Sequence, residues 1–221
     1  MISTAIKWAL VASALAASLA ACGAPEPGPK VTPAEPESEA ITPTDTATHS
    51  GATALDVPVS NLRGFDWDQA VLPGGVCGVK ETVHLNKGVA RATSDTWGPV
   101  TVAMLGAKYG QLLADRGVEA AATVYCDNGG GTGSSTLEYA VVVYSARGGV
   151  LTGVGLISAK KHEEGELPTI LSVKSFQPSA LAIRELYYRP ADSTCCPSGR
   201  AVTTWTWAGD TPEPSAPHVL R

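Results

Sequence analysis

Residues 137–145, "LEYAVVVYS", form the densest run of β-branched and aromatic residues in the chain. Arg147-Gly148-Gly149 follows, and then residues 150–158, "VLTGVGLIS". A Gly-Gly pair between two such runs admits the positive φ angles of a two-residue hairpin turn, so the two runs read as paired antiparallel strands. The same rhythm repeats along the chain. "VKETVHL", Asn86-Lys87-Gly88 and "VARAT" read as a second hairpin. "PVTVAML" and "AATVYC" read as two more strands. "TILSVKSF" and "ALAIRELYYR" pair across Gln177-Pro178-Ser179, and "RAVTTWTWAG" is a last strand. Turn signals recur about every 8–12 residues, and no strand–helix–strand rhythm appears. The expected fold is mainly β: an antiparallel sandwich, an open barrel or a strongly twisted sheet of about seven or eight strands, with at most one or two short helices. One helical turn is expected in "NLRGFDWDQAVLPGG", with Asp66 as its N-cap and Pro73-Gly74 as its stop. A weaker helix candidate spans Lys108–Arg116.

The flanks of this domain have a different composition. Residues 23–58, rich in Pro, Thr, Ala and Glu, carry almost no large apolar side chain. Such a stretch cannot bury enough surface to offset the entropy of ordering it. The expected organisation is therefore a leader over 1–21, a disordered tether over 22–58, the β domain over 59–209 and a frayed tail over 210–221.

The leader itself carries Lys7, no acid, and the apolar run "WALVASALAASLA", too short to span a bilayer. It ends in Leu19-Ala20-Ala21-Cys22. This resembles the lipobox of bacterial lipoproteins, in which the thiol of the cysteine takes a diacylglyceryl group and cleavage falls just before it. That resemblance implies acyl (palmitate-type) chains on Cys22 and anchoring at the extracytoplasmic face of the cell membrane. Each buried methylene is worth about 0.8 kcal/mol, and two or three chains give stable attachment. Removing the leader removes Lys7 alone, so the net charge passes from −5 to −6. No basic stripe exists, and nucleic acid is excluded as a partner.

Setting Cys22 aside leaves Cys77, Cys126, Cys195 and Cys196. An even remainder in an exported chain predicts two disulfides, with three connectivities open. Joining Cys195 to Cys196 closes a small strained ring, so a long-range bridge from that pair to Cys126 or Cys77 is the expectation. No Cys-x-x-Cys motif is present for redox catalysis, and no spaced Cys/His set for zinc.

Motifs for other chemistry are weak. "GGGTGSS" at residues 129–135 lacks the Lys of a phosphate loop and precedes a strand. Around Gly117, Asp115 and Glu119 are too few oxygens for calcium, and Leu112 and Leu113 occupy would-be ligand positions. His162 with Glu163, Glu164 and Glu166 reads as a solvated loop. His49 and His218 fall in segments expected to be disordered. His84, on a strand, is the one candidate base for a small hydrolase. Trp205 and Trp207 alternate on one face of their strand, and Tyr187 and Arg189 on one face of theirs. These four are the candidate binding face, for a protein, a glycan or a lipid; a purely structural core is the competing role. No metal or cofactor is expected.

Three segments together, Tyr109-Gly110 before "GVEAAATVYC", "YYRPADSTCCPSG" and the Trp-bearing strand that follows, resemble the LppP/LprE-type lipoproteins of actinobacteria over residues 60–208. The Cys-Cys-Pro-Ser-Gly run is the specific part. The resemblance implies an exported, membrane-anchored, β-rich domain with no catalytic residues to carry over. The functional expectation is a non-catalytic binding or envelope-assembly module. The alternatives are a hydrolase using His84 and a passive surface spacer.

Overall fold

The computed structural model describes residues 51–113, 117–129, 135–161 and 167–221. Thirteen strands lie in this part of the chain: β1 (Thr53–Pro58), β2 (Val71–Leu72), β3 (Val83–His84), β4 (Val89–Ser94), β5 (Gly98–Gly110), β6 (Glu119–Asp127), β7 (Thr136–Arg147), β8 (Val150–Ile157), β9 (Ile170–Gln177), β10 (Ala180–Tyr187), β11 (Gly199–Ala208), β12 (Thr211–Pro214) and β13 (His218–Leu220). The fold is mainly β, with no helix of seven or more residues among the described residues, as the turn spacing predicts.

The first sheet, ordered β1-β8-β7-β6-β5-β4, is antiparallel and curls into a half-barrel. Its curl has a local cause. The ladders slip at Met104/Gly106 between β5 and β6, at Cys126/Asp127 between β6 and β7, and at Val143/Tyr144 between β7 and β8. Each bulge bends its strand and increases the right-handed twist. The β7–β8 hairpin closes as expected, with Arg147 opposite Val150 and Gly148 and Gly149 both at positive φ. The second sheet is ordered β12-β11-β10-β9, and β13 also pairs with β11.

The central strands of the first sheet are buried on both faces. Ala120, Ala122, Val124, Ala140, Val142 and Tyr144 enter one core, which they share with the segment between β1 and β4. Their neighbours Ala121, Val141 and Val143 enter a second core, against Leu171, Val173, Leu181, Ile183 and Trp205 of the second sheet. A strand with two buried faces reads as a continuous apolar run, the pattern of "YAVVVY". The layers are thus the N-terminal segment, the curled sheet and the second sheet.

The N-terminal layer is made of tight turns. Asn61 caps one 3₁₀ turn (Leu62–Gly64), accepting from the Arg63 amide at 2.9 Å. Asp66 caps the next (Trp67–Gln69), accepting from the Asp68 amide at 3.1 Å. Trp67 Nε1 donates to Tyr109 Oη at 2.7 Å, and the two 3₁₀ turns thereby dock on β5.

Four expectations need correction. The tether does not run to residue 58: β1 pairs with β8, and Leu55 is buried in the first core. The tail is not frayed: β12 and β13 both pair with β11, and Arg147 grips Asp210 with two contacts of 3.1 and 2.5 Å. The segment from Lys108 is no helix: Lys108, Tyr109 and Gly110 complete β5 opposite Ala121, Ala120 and Glu119. Finally, β3 pairs with β2 rather than β4, because the Leu85 amide is taken by the Ala70 carbonyl at 2.9 Å. Only an Asn86–Val89 bridge remains of the expected hairpin there.

Gly110 is where the second sheet presses on β5. A Cβ built there would lie 2.2 Å from Cγ of Phe176. Gly110→Ala is expected to destabilise the domain by about 1–3 kcal/mol through overpacking. Gly64→Ala, with open space around the new methyl, should change stability by no more than about 0.5 kcal/mol. Urea unfolding of the two variants checks the contrast.

Candidate functional site

The four domain cysteines form two pairs at disulfide distance. Cys77 lies against Cys126, with Cα atoms 6.1 Å apart, and Cys195 against Cys196, 3.8 Å apart. The expected long-range bridge from the vicinal pair is therefore not the one formed. The reason is topological: β6 carries Cys126 into the core that holds the Cys77 turn, whereas Cys195 and Cys196 sit in the exposed loop between β10 and β11. Cys77 and Cys126 are both fully buried. Cys77 has φ 55° in a turn that its bridge pins to the curled sheet.

Glu138, across the ladder from Cys126, places a carboxylate oxygen within 4.8 Å of both sulfurs. With the two sulfurs bonded to each other, this trio offers a metal one carboxyl group and no thiolate. Burial pushes the Glu138 carboxyl up to about 7. The folded protein then holds a proton that the unfolded chain releases above 4.5, the ordinary value.

The candidate binding face is not a face. Trp205 is 2 % exposed and Tyr187 4 %. Trp207 packs on the second core and donates Nε1–H to the Val154 carbonyl at 2.9 Å. The segment after β8 covers this side. Lys160 Nζ stands 5.3 Å from the ring centre of Trp205, and Lys161 Nζ 5.1 Å from that of Tyr187. Both lysines are held by their backbone. The buried carboxylate of Glu185 accepts from the Lys160 amide at 3.0 Å and the Lys161 amide at 2.7 Å, and its other oxygen accepts from the Thr203 hydroxyl. Sequence reasoning missed Glu185: "LAIRELYY" alternates, and nothing local marks its one buried acid. Glu119 is a second such acid. It accepts from the amides of Leu112 at 2.8 Å and Leu113 at 3.3 Å, which gives those two residues a backbone anchor.

Of the four aromatic and basic residues proposed, Arg189 alone is exposed. It opens the β10–β11 loop. The Asp192 carboxylate accepts from the amides of Arg189 and Ser198, each at 2.8 Å, and these bonds hold it below its usual range. Tyr188 Oη donates to the Thr194 carbonyl at 3.0 Å, and the Cys196 amide donates to the Ser193 carbonyl at 3.0 Å. The loop closes on Gly199, where a Cβ would lie 2.4 Å from the Tyr187 ring. The end of the Cys-Cys-Pro-Ser-Gly run thus has a packing reason.

His84 is exposed on β3 and lines an open groove of about 560 Å³ with Glu81, Thr82, Arg91 and Thr93. No hydrogen bond among the described residues orients its imidazole. His218 is exposed on β13. Cys22, His49, Asp115, His162, Glu163, Glu164, Glu166 and most of the Gly129–Ser135 loop lie outside the described residues. No protein-family model matches the chain, and neither the curated proteins nor the solved structures contain a match.

Four outcomes are expected, two for the cysteine pairs and two for Glu138. Replacing Cys77 and Cys126 together by alanine removes a cross-link over 49 residues and should cost about 2–5 kcal/mol. The same change at Cys195 and Cys196 constrains almost no chain and should cost less than about 1 kcal/mol. Between pH 4.5 and about 7, the raised Glu138 carboxyl should make stability fall as pH rises, with no further loss above that window. Glu138→Gln should flatten that slope and stabilise the domain at pH 8 by roughly 1–3 kcal/mol. Urea unfolding at pH 5 and pH 8 measures both effects.

Proposed function

We propose that the chain is a lipid-anchored protein of the bacterial cell envelope, akin to the LppP/LprE-type lipoproteins, whose β domain is a non-catalytic binding or envelope-assembly module at the extracytoplasmic face. One observation carries this reading. The four domain cysteines pair among themselves, so the cysteine left over by count is Cys22, at the end of the lipobox. Disulfide-distance pairs fit an oxidising compartment, and an acyl anchor accounts for the odd thiol. Among the described residues no helix is long and apolar enough to cross a membrane; in this reading the attachment is the lipid.

For the binding role, the supporting surface is the edge hairpin of β4 and β5. It exposes Val89, Trp97 and Leu105, at 44 %, 38 % and 58 %. An envelope protein, a glycan or a lipid remains the class of partner. The hydrolase alternative rests on His84, whose groove supplies Glu81 as a nearby carboxylate but no hydrogen-bonded nucleophile.

Cys22→Ala in the native host should move the protein from the membrane fraction to the soluble or secreted fraction. Retention of the variant in the membrane would contradict the anchor.

A further inference from the structure

The two cysteine pairs stand in opposite environments. Cys77 and Cys126 are fully buried, and no external thiol can approach them in line without unfolding. Cys195 and Cys196 are both exposed, at the crest of the β10–β11 loop. Exchange requires an attacking thiolate to reach one sulfur along the S–S axis while the other leaves. The exposed pair alone meets that condition among the described residues.

Ser193 supplies a second element. Its Oγ lies 3.1 Å from Cys195 Sγ. A disulfide sulfur carries no hydrogen, so the hydroxyl is the donor. A donor at that sulfur stabilises the charge that develops when Cys195 becomes the leaving thiolate. The Ser193 carbonyl, meanwhile, holds the Cys196 amide at 3.0 Å. One residue thus addresses the two cysteines differently.

The loop also keeps its shape without the bridge. The Asp192 carboxylate ties the Arg189 and Ser198 amides, Tyr188 ties Thr194, and Tyr187 pairs with Gly199 in the ladder. Opening the S–S bond therefore leaves the loop's framework in place.

We propose that Cys195–Cys196 is a reversible thiol–disulfide exchange site that accepts electrons from an external dithiol, with Cys196 as the sulfur attacked and Cys195 as the leaving group. A thiolate of the dithiol bonds to Cys196 Sγ, the Cys195–Cys196 bond breaks, and its electron pair goes to Cys195 Sγ, which is held by the Ser193 hydroxyl and then protonated from water. The second thiolate of the reagent attacks its own sulfur in the mixed disulfide and releases Cys196 as a thiolate, which is protonated in turn. Two electrons and two protons enter the pair, and the dithiol leaves as a disulfide. The site is independent of the anchor at Cys22 and of any binding role for the β4–β5 edge. Ser193 acts as a positioning residue through Cys195.

The test uses the full chain, purified from whichever fraction of the cells holds it, with detergent if that is the membrane, and treated with dithiothreitol for set times at pH 8. Free thiols are then blocked with iodoacetamide and mapped by peptide mass. Cys195 and Cys196 should be labelled about a hundredfold faster than Cys77 and Cys126, with the melting temperature nearly unchanged. Ser193→Ala should slow labelling of the pair several-fold while leaving melting and circular dichroism as in the parent. Equal labelling of all four cysteines, or a vicinal pair that resists reduction in the folded protein, would overturn the exchange site. An unchanged rate in Ser193→Ala would overturn the role of its hydroxyl.

Discussion

Burial of the β6–β7 strands on both faces is the constraint on which the rest of this structure depends. Val141 and Val143 face one core while Ala140, Val142 and Tyr144 face the other. A sheet exposed on one side would need polar residues at every second position of these strands. Residues 140–143, Ala-Val-Val-Val, carry none, so this part of the sheet must be covered twice. The second sheet covers one face and the short turns between β1 and β4 cover the other. The N-terminal layer has little regular structure of its own, and it is held down by side chains: Trp67 bonded to Tyr109, Tyr144 Oη bonded to the Val71 carbonyl at 3.2 Å, and Cys77 against Cys126. The buried cysteine pair sits where a layer poor in ladder hydrogen bonds most needs a cross-link.

The same demand for two covers explains what happened to the candidate binding residues. Trp205 fills the core between the sheets and Tyr187 is buried against Gly199, and the lysines of the segment after β8 close over their rings. Two buried acids, Glu185 and Glu119, fasten irregular backbone at the margins of this core. Each accepts a pair of consecutive amides, the arrangement that makes a buried carboxylate tolerable. These acids serve the frame. Among the described residues, the surface features include the vicinal cysteine loop, the β4–β5 edge and the His84 groove.

Much of the fold was legible because strand periodicity and turn chemistry are local. The β7–β8 and β9–β10 hairpins, the Asp66 cap and the strands around Cys126 all follow from residues close in sequence. What escaped was set by distant partners. Residues 53–58 and 211–220 look too polar to order, and they become strands because β8 and β11 offer free edges. Lys108–Gly110 has no strand pattern of its own and is drawn into the sheet by Ala120 and Ala121 opposite. Cysteine pairing depended on which loop faces the core, a three-dimensional fact. For the site, the sequence marked every cysteine but could not tell the buried pair from the exposed one, and it could not show that Ser193 would come to rest on Cys195. The alternation of Trp205 with Trp207 correctly placed them on one side of a strand, and the side turned out to be the inner one.

Native-state hydrogen exchange is the measurement that bears most directly on this account. If the doubly covered strands organise the domain, the amides of β6 and β7 will be the slowest to exchange, opening only with global unfolding, while β1, β12 and β13 open first. If instead β9–β11 retain their protection while β6 and β7 exchange quickly, the two sheets are independent units and the central claim is wrong.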